Sequence, residues 1–211
     1  MPDPLIQKMR GNKKFLELLE AAWGLFYFGG SGPGVRVRRQ NFIRMALEKE
    51  LGLEVEEAQP LERQVDLIVK TNDKKAYSLK TMESVGTLKV SWNSYPDVER
   101  LKEAAKNFEF KAPILFIHRE GIYVFEVDDI EEVRRELGFD GFWSIPSREV
   151  NPRGFGIKSG AVRRLMRIAE EKGNFVRIKG MRLEDEETKK KYFEGWYEFV
   201  KGFAESVRRS R

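Results

Sequence analysis

Between residues 65 and 81 the chain reads Val65-Asp66-Leu67-Ile68-Val69, a polar stretch Thr71-Asn72-Asp73-Lys74-Lys75, and then Ala76 to Thr81. Two short apolar runs around a polar turn predict a β-hairpin. Its first strand carries a carboxylate inside apolar sequence, and an unpaired buried carboxylate is costly. The fold must therefore supply Asp66 with a compensating group. The second strand contains Ser78-Leu79-Lys80, and the two-residue period of a strand puts Ser78 and Lys80 on one face and Leu79 on the other. If the hairpin sets Asp66 beside that face, a carboxylate, a hydroxyl and an ammonium meet. A partly buried Asp66–Lys80 ion pair with no chemistry satisfies the same pattern, and spacing alone leaves both readings open.

Around this hairpin the pattern is mixed. Asn12 is a cap for a helix over Lys13–Phe28, closed by the glycine-rich loop Gly29 to Gly34, and a second helix is expected from about Arg38 to Leu51. Strands are expected at Leu53 to Ala58, Leu88 to Trp92, Pro113 to His118, Ile122 to Val127 and Phe175 to Lys179. Helices are expected from Pro96-Asp97 to about Phe108, from Asp128 or Asp129 to near Gly138, from Ser159 to Lys172, and from Glu186 to Val207. The last carries Tyr192, Phe193, Trp196, Phe199, Val200 and Phe203 on one face, which predicts an extension of the core. Core packing is likewise expected for Trp92. With no repeat and no convincing linker, these elements read as one mixed α/β domain over residues 1–211. An N-terminal helix and Gly-rich loop occupy 1–34, a core 35–145 and a basic C-terminal extension 146–211.

The residue inventory narrows the chemistry. There is no cysteine and a single histidine, His118, so thiolate metal sites, disulfides and histidine-based triads are excluded or nearly so. His118 sits in an apolar strand and reads as structural. The longest apolar run, Ala21 to Phe28, is far short of a bilayer span, and the N-terminus lacks a signal pattern, so a cytoplasmic chain with no membrane association is expected. Abundant Lys, Glu and Arg also fit a thermophile's composition. The net charge of +5 is modest, but its distribution is not. Between Arg153 and Arg182 nine basic residues stand against two acidic ones, and Arg36, Arg38, Arg39 and Arg44 form a second cluster without an acid. Such segregation suits a polyanion, although a solvated helix face balanced by acidic neighbours produces it too. Gly29 to Gly34 lacks the Gly-Lys-Ser/Thr ending of a phosphate-binding P-loop.

Asp66, eleven intervening residues and then Ser78-Leu79-Lys80 on consecutive strands resembles the catalytic hairpin of PD-(D/E)XK nucleases. Ser78-Leu79-Lys80-Thr81, Gly86-Thr87-Leu88-Lys89-Val90-Ser91-Trp92, Asn151-Pro152-Arg153-Gly154 and Tyr192-Phe193-Glu194-Gly195-Trp196 are similar, in order, to small archaeal type II restriction endonucleases of the ThaI type. The likeness runs from about Arg36 to Phe203. It implies a restriction-endonuclease-like α/β fold, with a mixed central sheet flanked by helices, and magnesium-dependent, sequence-specific cleavage of double-stranded DNA. It assigns Mg2+ to Asp66 and the Leu79 carbonyl, and gives Lys80 the attacking water to hold or deprotonate. Two positions depart from the pattern. Ser78 is neutral where the second acid stands, and Gln40, matched to a helix acid that often assists, is neutral as well; Glu48 and Glu62 are the possible replacements. DNA contacts are expected from Arg36, Arg38, Arg39, Arg153, Lys158, Arg163 and Arg164. A homodimer follows from the need to cut both strands of a palindrome. A non-catalytic nucleic-acid-binding protein with a decayed site, and a junction-resolving nuclease of the same fold, are the alternatives.

Overall fold

The computed structural model describes residues 1–28, 33–57, 64–147, 152–180 and 186–209. Glu62, Asn151 and Arg182, like the glycine-rich 29–32, lie outside the described residues, as do the side chains of Arg36 and Arg38.

Three helices lead into the sheet: α1 (Pro4–Arg10), α2 (Lys13–Phe28) and α3 (Pro33–Leu51). Helix α1, absent from the sequence-based expectation, is capped by Asp3, whose carboxylate accepts from the backbone N–H of Leu5 at 2.9 Å. Asn12 caps α2 as its position predicts, its side chain accepting from the Phe15 N–H at 2.9 Å. Helix α3 begins five residues earlier than Arg38 because Pro33 suits the first turn of a helix.

The predicted hairpin is present as β2 (Leu67–Lys70) and β3 (Lys74–Met82). With β1 (Glu54–Glu57), β5 (Ile114–His118), β6 (Gly121–Phe125) and β9 (Phe175–Arg177) it forms a six-stranded sheet ordered β1-β2-β3-β5-β6-β9. All neighbours are antiparallel except β3 and β5, whose parallel register sets Ser78 opposite Ile114 and Lys80 opposite Phe116. The connection between those two strands includes β4 (Leu88–Lys89) and α4 (Val98–Lys106), the latter capped by Asp97.

Strands β5 and β6 are buried throughout because apolar layers cover both faces. On one face Leu115, Ile117, Ile122 and Val124 pack with Phe15, Leu19 and Trp23 of α2 and Ile43 and Leu47 of α3. On the other, Ile114, Phe116, Tyr123 and Phe125 pack with Leu101 of α4, Ile130 and Val133 of α5 (Val127–Phe142), and Val162 and Leu165 of α6 (Ser159–Glu171). Each such side chain contributes about 1.5–3 kcal/mol on leaving water. Helix α5 starts at Val127 after Glu126, ahead of the expected Asp128 or Asp129 cap, and continues past Gly138, whose φ of 66° kinks it without the Cβ penalty.

A three-stranded sheet, β4-β8-β7, was invisible to periodicity because β7 (Trp143–Ser144) and β8 (Gly156–Ile157) are two residues each. Two sequence expectations fail. Trp92 is 62% exposed. The final helix, α7 (Glu186–Arg209), does not extend the core, since Phe193, Tyr197 and Phe199 remain 62–67% exposed. In both cases apolar periodicity marks a side chain that gains by leaving water, and its place in the fold leaves much of it exposed.

Candidate active site and nucleic-acid surface

Asp66 lies one residue before β2, where its N–H donates to the Tyr77 carbonyl at 2.9 Å and ties it to β3. Leu67 and Leu79 point into the first core, which turns Ser78 and Lys80 to the opposite face of β3. The Asp66 carboxylate collects their groups. Its Oδ2 accepts from the Leu79 N–H at 2.8 Å, from Ser78 Oγ at 3.2 Å and from Lys80 Nζ at 3.4 Å. Its Oδ1 accepts from Gln40 Nε2 at 3.5 Å. Gln40 arrives from α3, held by the burial of Ile43 and Leu47 three and seven residues further on. The structure thus brings together Gln40, Asp66, Ser78 and Lys80, from helix α3, the residue just ahead of β2, and strand β3.

The Asp66–Lys80 pair is partly buried, with side-chain exposures of 24% and 14%. At 3.4 Å it is looser than the charge-assisted bonds elsewhere in the chain, such as Lys75 to Asp3 at 2.8 Å. Ser78 is buried, and its hydroxyl is satisfied there by donating to Asp66. A fully ionised second acid would meet Asp66 in a poorly solvated place.

The donors fit a hard divalent cation, for every acceptor available here is oxygen: the Asp66 carboxylate, the Ser78 hydroxyl, the Gln40 amide and backbone carbonyls. They do not fit a soft metal. Among the described residues there is no cluster of three or more His, Cys, Asp or Glu side chains, so water and substrate oxygens would have to complete any coordination shell.

The basic residues divide. Arg153, Lys158, Arg163, Arg167, Arg177 and Lys179 are exposed. Part of the basic charge is balanced by α5, where Arg164 Nε lies 3.6 Å from Glu136 and Lys172 pairs with the buried Asp129; Lys158 donates to the neutral backbone carbonyl of Asp140. Arg39 is half-buried, with its guanidinium 5.4 Å from the centre of the Trp23 ring. Burial pulls it below the usual arginine range against the opposing charge of Glu83.

Arg153 stands on a rigid support. The bridge between Ser94 and Arg153, the Tyr95 N–H to the Pro152 carbonyl at 3.1 Å, and the Gly154 N–H to the Asn93 carbonyl at 2.8 Å bind its turn to the segment after β4. Trp92, Asn93 and Ser94 are all exposed beside it. Trp92 is a residue that sequence reading misplaced, and the polar Asn93 and Ser94 that follow it are the signal that marks an exposed segment. His118 has the structural role its strand suggests. Burial lowers its pKa, its Nδ1 accepts from the Glu120 N–H at 3.3 Å, and its ring stacks on Phe116.

A mixed sheet of this order, flanked on both faces by helices and carrying Asp66 and Lys80 at its centre, is the restriction-endonuclease-like α/β fold. A solved structure described as a restriction endonuclease in complex with substrate DNA superposes with a TM-score of 0.56, covering 93% of this chain and 94% of the other at 21% sequence identity. No protein-family profile and no curated protein matches the chain. Among the described residues no helix is long and apolar enough to cross a membrane.

Proposed function

We propose that the chain is a magnesium-dependent endonuclease that hydrolyses phosphodiester bonds of double-stranded DNA at a specific sequence, as a type II restriction enzyme does. The observation that carries this reading is the convergence of Gln40, Ser78, Lys80 and the Leu79 N–H on one carboxylate, in a fold shared with a restriction endonuclease.

Hydrolysis adds water to phosphorus, breaks the bond to the 3′-oxygen, and leaves a 5′-phosphate and a 3′-hydroxyl. A magnesium ion held by the Asp66 carboxylate and the Leu79 carbonyl would supply charge stabilisation to the phosphate and the departing oxygen. Within the chain, Lys80 holds the attacking water or a phosphate oxygen with its ammonium. Ser78 and the Leu79 N–H fix the orientation of Asp66, and Gln40 steadies its other oxygen through an amide that also offers an acceptor. Arg153, with Trp92 and Asn93 on the same rigid frame, faces the DNA. Arg163, Arg167 and Lys158 contribute phosphate contacts, together with Arg36 and Arg38.

The neutrality of Ser78 and Gln40 leaves one carboxylate at the site, and this favours the second reading, a nucleic-acid-binding protein without catalysis. Incubating the protein with long mixed-sequence DNA in magnesium separates them. Discrete fragments are expected from the native chain, and none from Asp66→Asn or Lys80→Ala, each with unchanged circular dichroism and retained DNA binding. Full cutting by either variant refutes the assignment. Absence of cutting by the native chain with tight duplex binding supports the second reading.

A further inference from the structure

Gln64 is, among the described residues, the one non-glycine with a positive φ, 75°. An L side chain is strained in that conformation, and such strain persists only where surrounding bonds fix it. Those bonds are present. The Gln64 side-chain amide donates through Nε2 to the Glu109 carbonyl at 2.7 Å and accepts through Oε1 from the Lys111 N–H at 3.2 Å. It therefore grips the backbone on either side of Phe110, which is buried in the apolar layer of α4, α5 and α6 and stacks on Trp143. Further along the same segment the Pro113 carbonyl accepts from the Ser78 N–H at 2.9 Å, which ties the segment to β3.

We infer that Gln64 is a positioning residue for the Asp66 carboxylate. Asp66 stands one residue ahead of β2, whose ladder with β3 begins at Leu67 opposite Tyr77. The clamp at Gln64 fixes the chain on the other side of Asp66, against a segment that is itself bonded to Ser78. The carboxylate, the Ser78 hydroxyl and the chain that leads to the carboxylate then share one rigid frame, and a group oriented before substrate arrives loses less on binding than one assembled by it. A side-chain amide suits both bonds at once, because it presents a donor and an acceptor on one planar group, whereas leucine presents neither. The consequence for cleavage rests on the nuclease reading; the placement of Asp66 does not.

Amide hydrogen exchange of the full chain, resolved by NMR without DNA or metal, reads that placement directly, since the Leu79 N–H donates to Asp66 Oδ2. In Gln64→Leu and in Gln64→Gly that amide should exchange at least about 10-fold faster than in the native chain, while Leu115 and Ile117 in β5 keep native rates. The two variants cover each other: leucine keeps the backbone constraint of a Cβ, and glycine relieves the left-handed strain, so a loss they share belongs to the clamp. In magnesium both should cleave DNA at least about 10-fold more slowly in single turnover, with duplex affinity in calcium unchanged. Native exchange at Leu79 in either variant overturns the inference. So does faster exchange that extends to Leu115 and Ile117, the mark of general destabilisation, and so does full-rate cleavage by both variants. A native chain that cuts no DNA defeats the nuclease reading alone, and exchange at Leu79 then decides the inference by itself.

Discussion

In the proposed site one carboxylate, Asp66, would do the work that two would share more easily. Oδ2 is already committed to Leu79, Ser78 and Lys80, all within 3.4 Å, and this fixes the group before any substrate arrives. Ser78 acts through Asp66 and carries no charge of its own, so Ser78→Ala should reduce the cleavage rate by about 10- to 100-fold, less than Asp66→Asn does. Single-turnover cleavage compares the two, and equal loss would show that the hydroxyl touches the reacting groups directly. Asp66, Ser78 and Lys80 were legible because a strand's period is short and fixed. Gln40 was legible only through likeness, since a glutamine on a helix carries no local mark of a site 26 residues away.

At the scale of the element, the segment after β4 and the turn of Arg153 form one unit, and Gly154 is its fulcrum. Gly154 has a φ of 60°, and a Cβ there would come within 2.0 Å of the Ser91 carbonyl oxygen. Gly154→Ala combines left-handed strain with a backbone collision, so it should cost about 2–4 kcal/mol, read as a lowered denaturation midpoint. If Arg153 reads a base, Arg153→Ala should weaken binding to the cognate duplex by about 1–3 kcal/mol and leave random duplex unaffected. If it meets a phosphate, binding to both falls and the salt slope drops by about one counterion. Isotherms in calcium across a salt series distinguish these, and unchanged affinity for both duplexes removes Arg153 from the surface. The Asn151-Pro152-Arg153-Gly154 motif is legible in the sequence. Its pairing with Ser91 to Tyr95 was not, because that contact spans some 60 residues with no period to announce it.

For the whole molecule, the buried Asp3 joins the N-terminus to the sheet. Its carboxylate caps α1, accepts from Tyr77 Oη at 3.0 Å and from Lys75 Nζ at 2.8 Å, and Lys75 also bonds Glu126 at 2.8 Å. Burial and the Asp3 charge push the Tyr77 phenol far above its usual value. Burial, with Glu170 beside it, moves Tyr123 up to about 12. Burial opposes the charge of Lys75, but hydrogen bonds to Asp3 and Glu126 prevail and raise its pKa. All three groups keep protons in the folded chain that the unfolded chain releases. Their stabilisation is therefore complete below about pH 10 and is lost as pH rises through the folded values. Urea denaturation between about pH 8 and 11 should show a falling midpoint, less steep in Tyr77→Phe; a flat profile would contradict the role of this cluster.

The sequence by itself determined the local elements and the spacing within them: the Asn12 cap, the β2–β3 hairpin, the alternation that parts Ser78 and Lys80 from Leu79, and the concentration of basic residues after Arg153. These follow from steric periods and capping chemistry acting over a few residues. Tertiary structure alone decided what lies against each face. It set Trp92 and the aromatic stripe of α7 in solvent, drew Arg39 onto Trp23, and placed acids of α5 beside Lys172 and Arg164. Hydrophobicity states what a side chain gains by leaving water, and only the packed fold determines whether a neighbour is there to exclude the water.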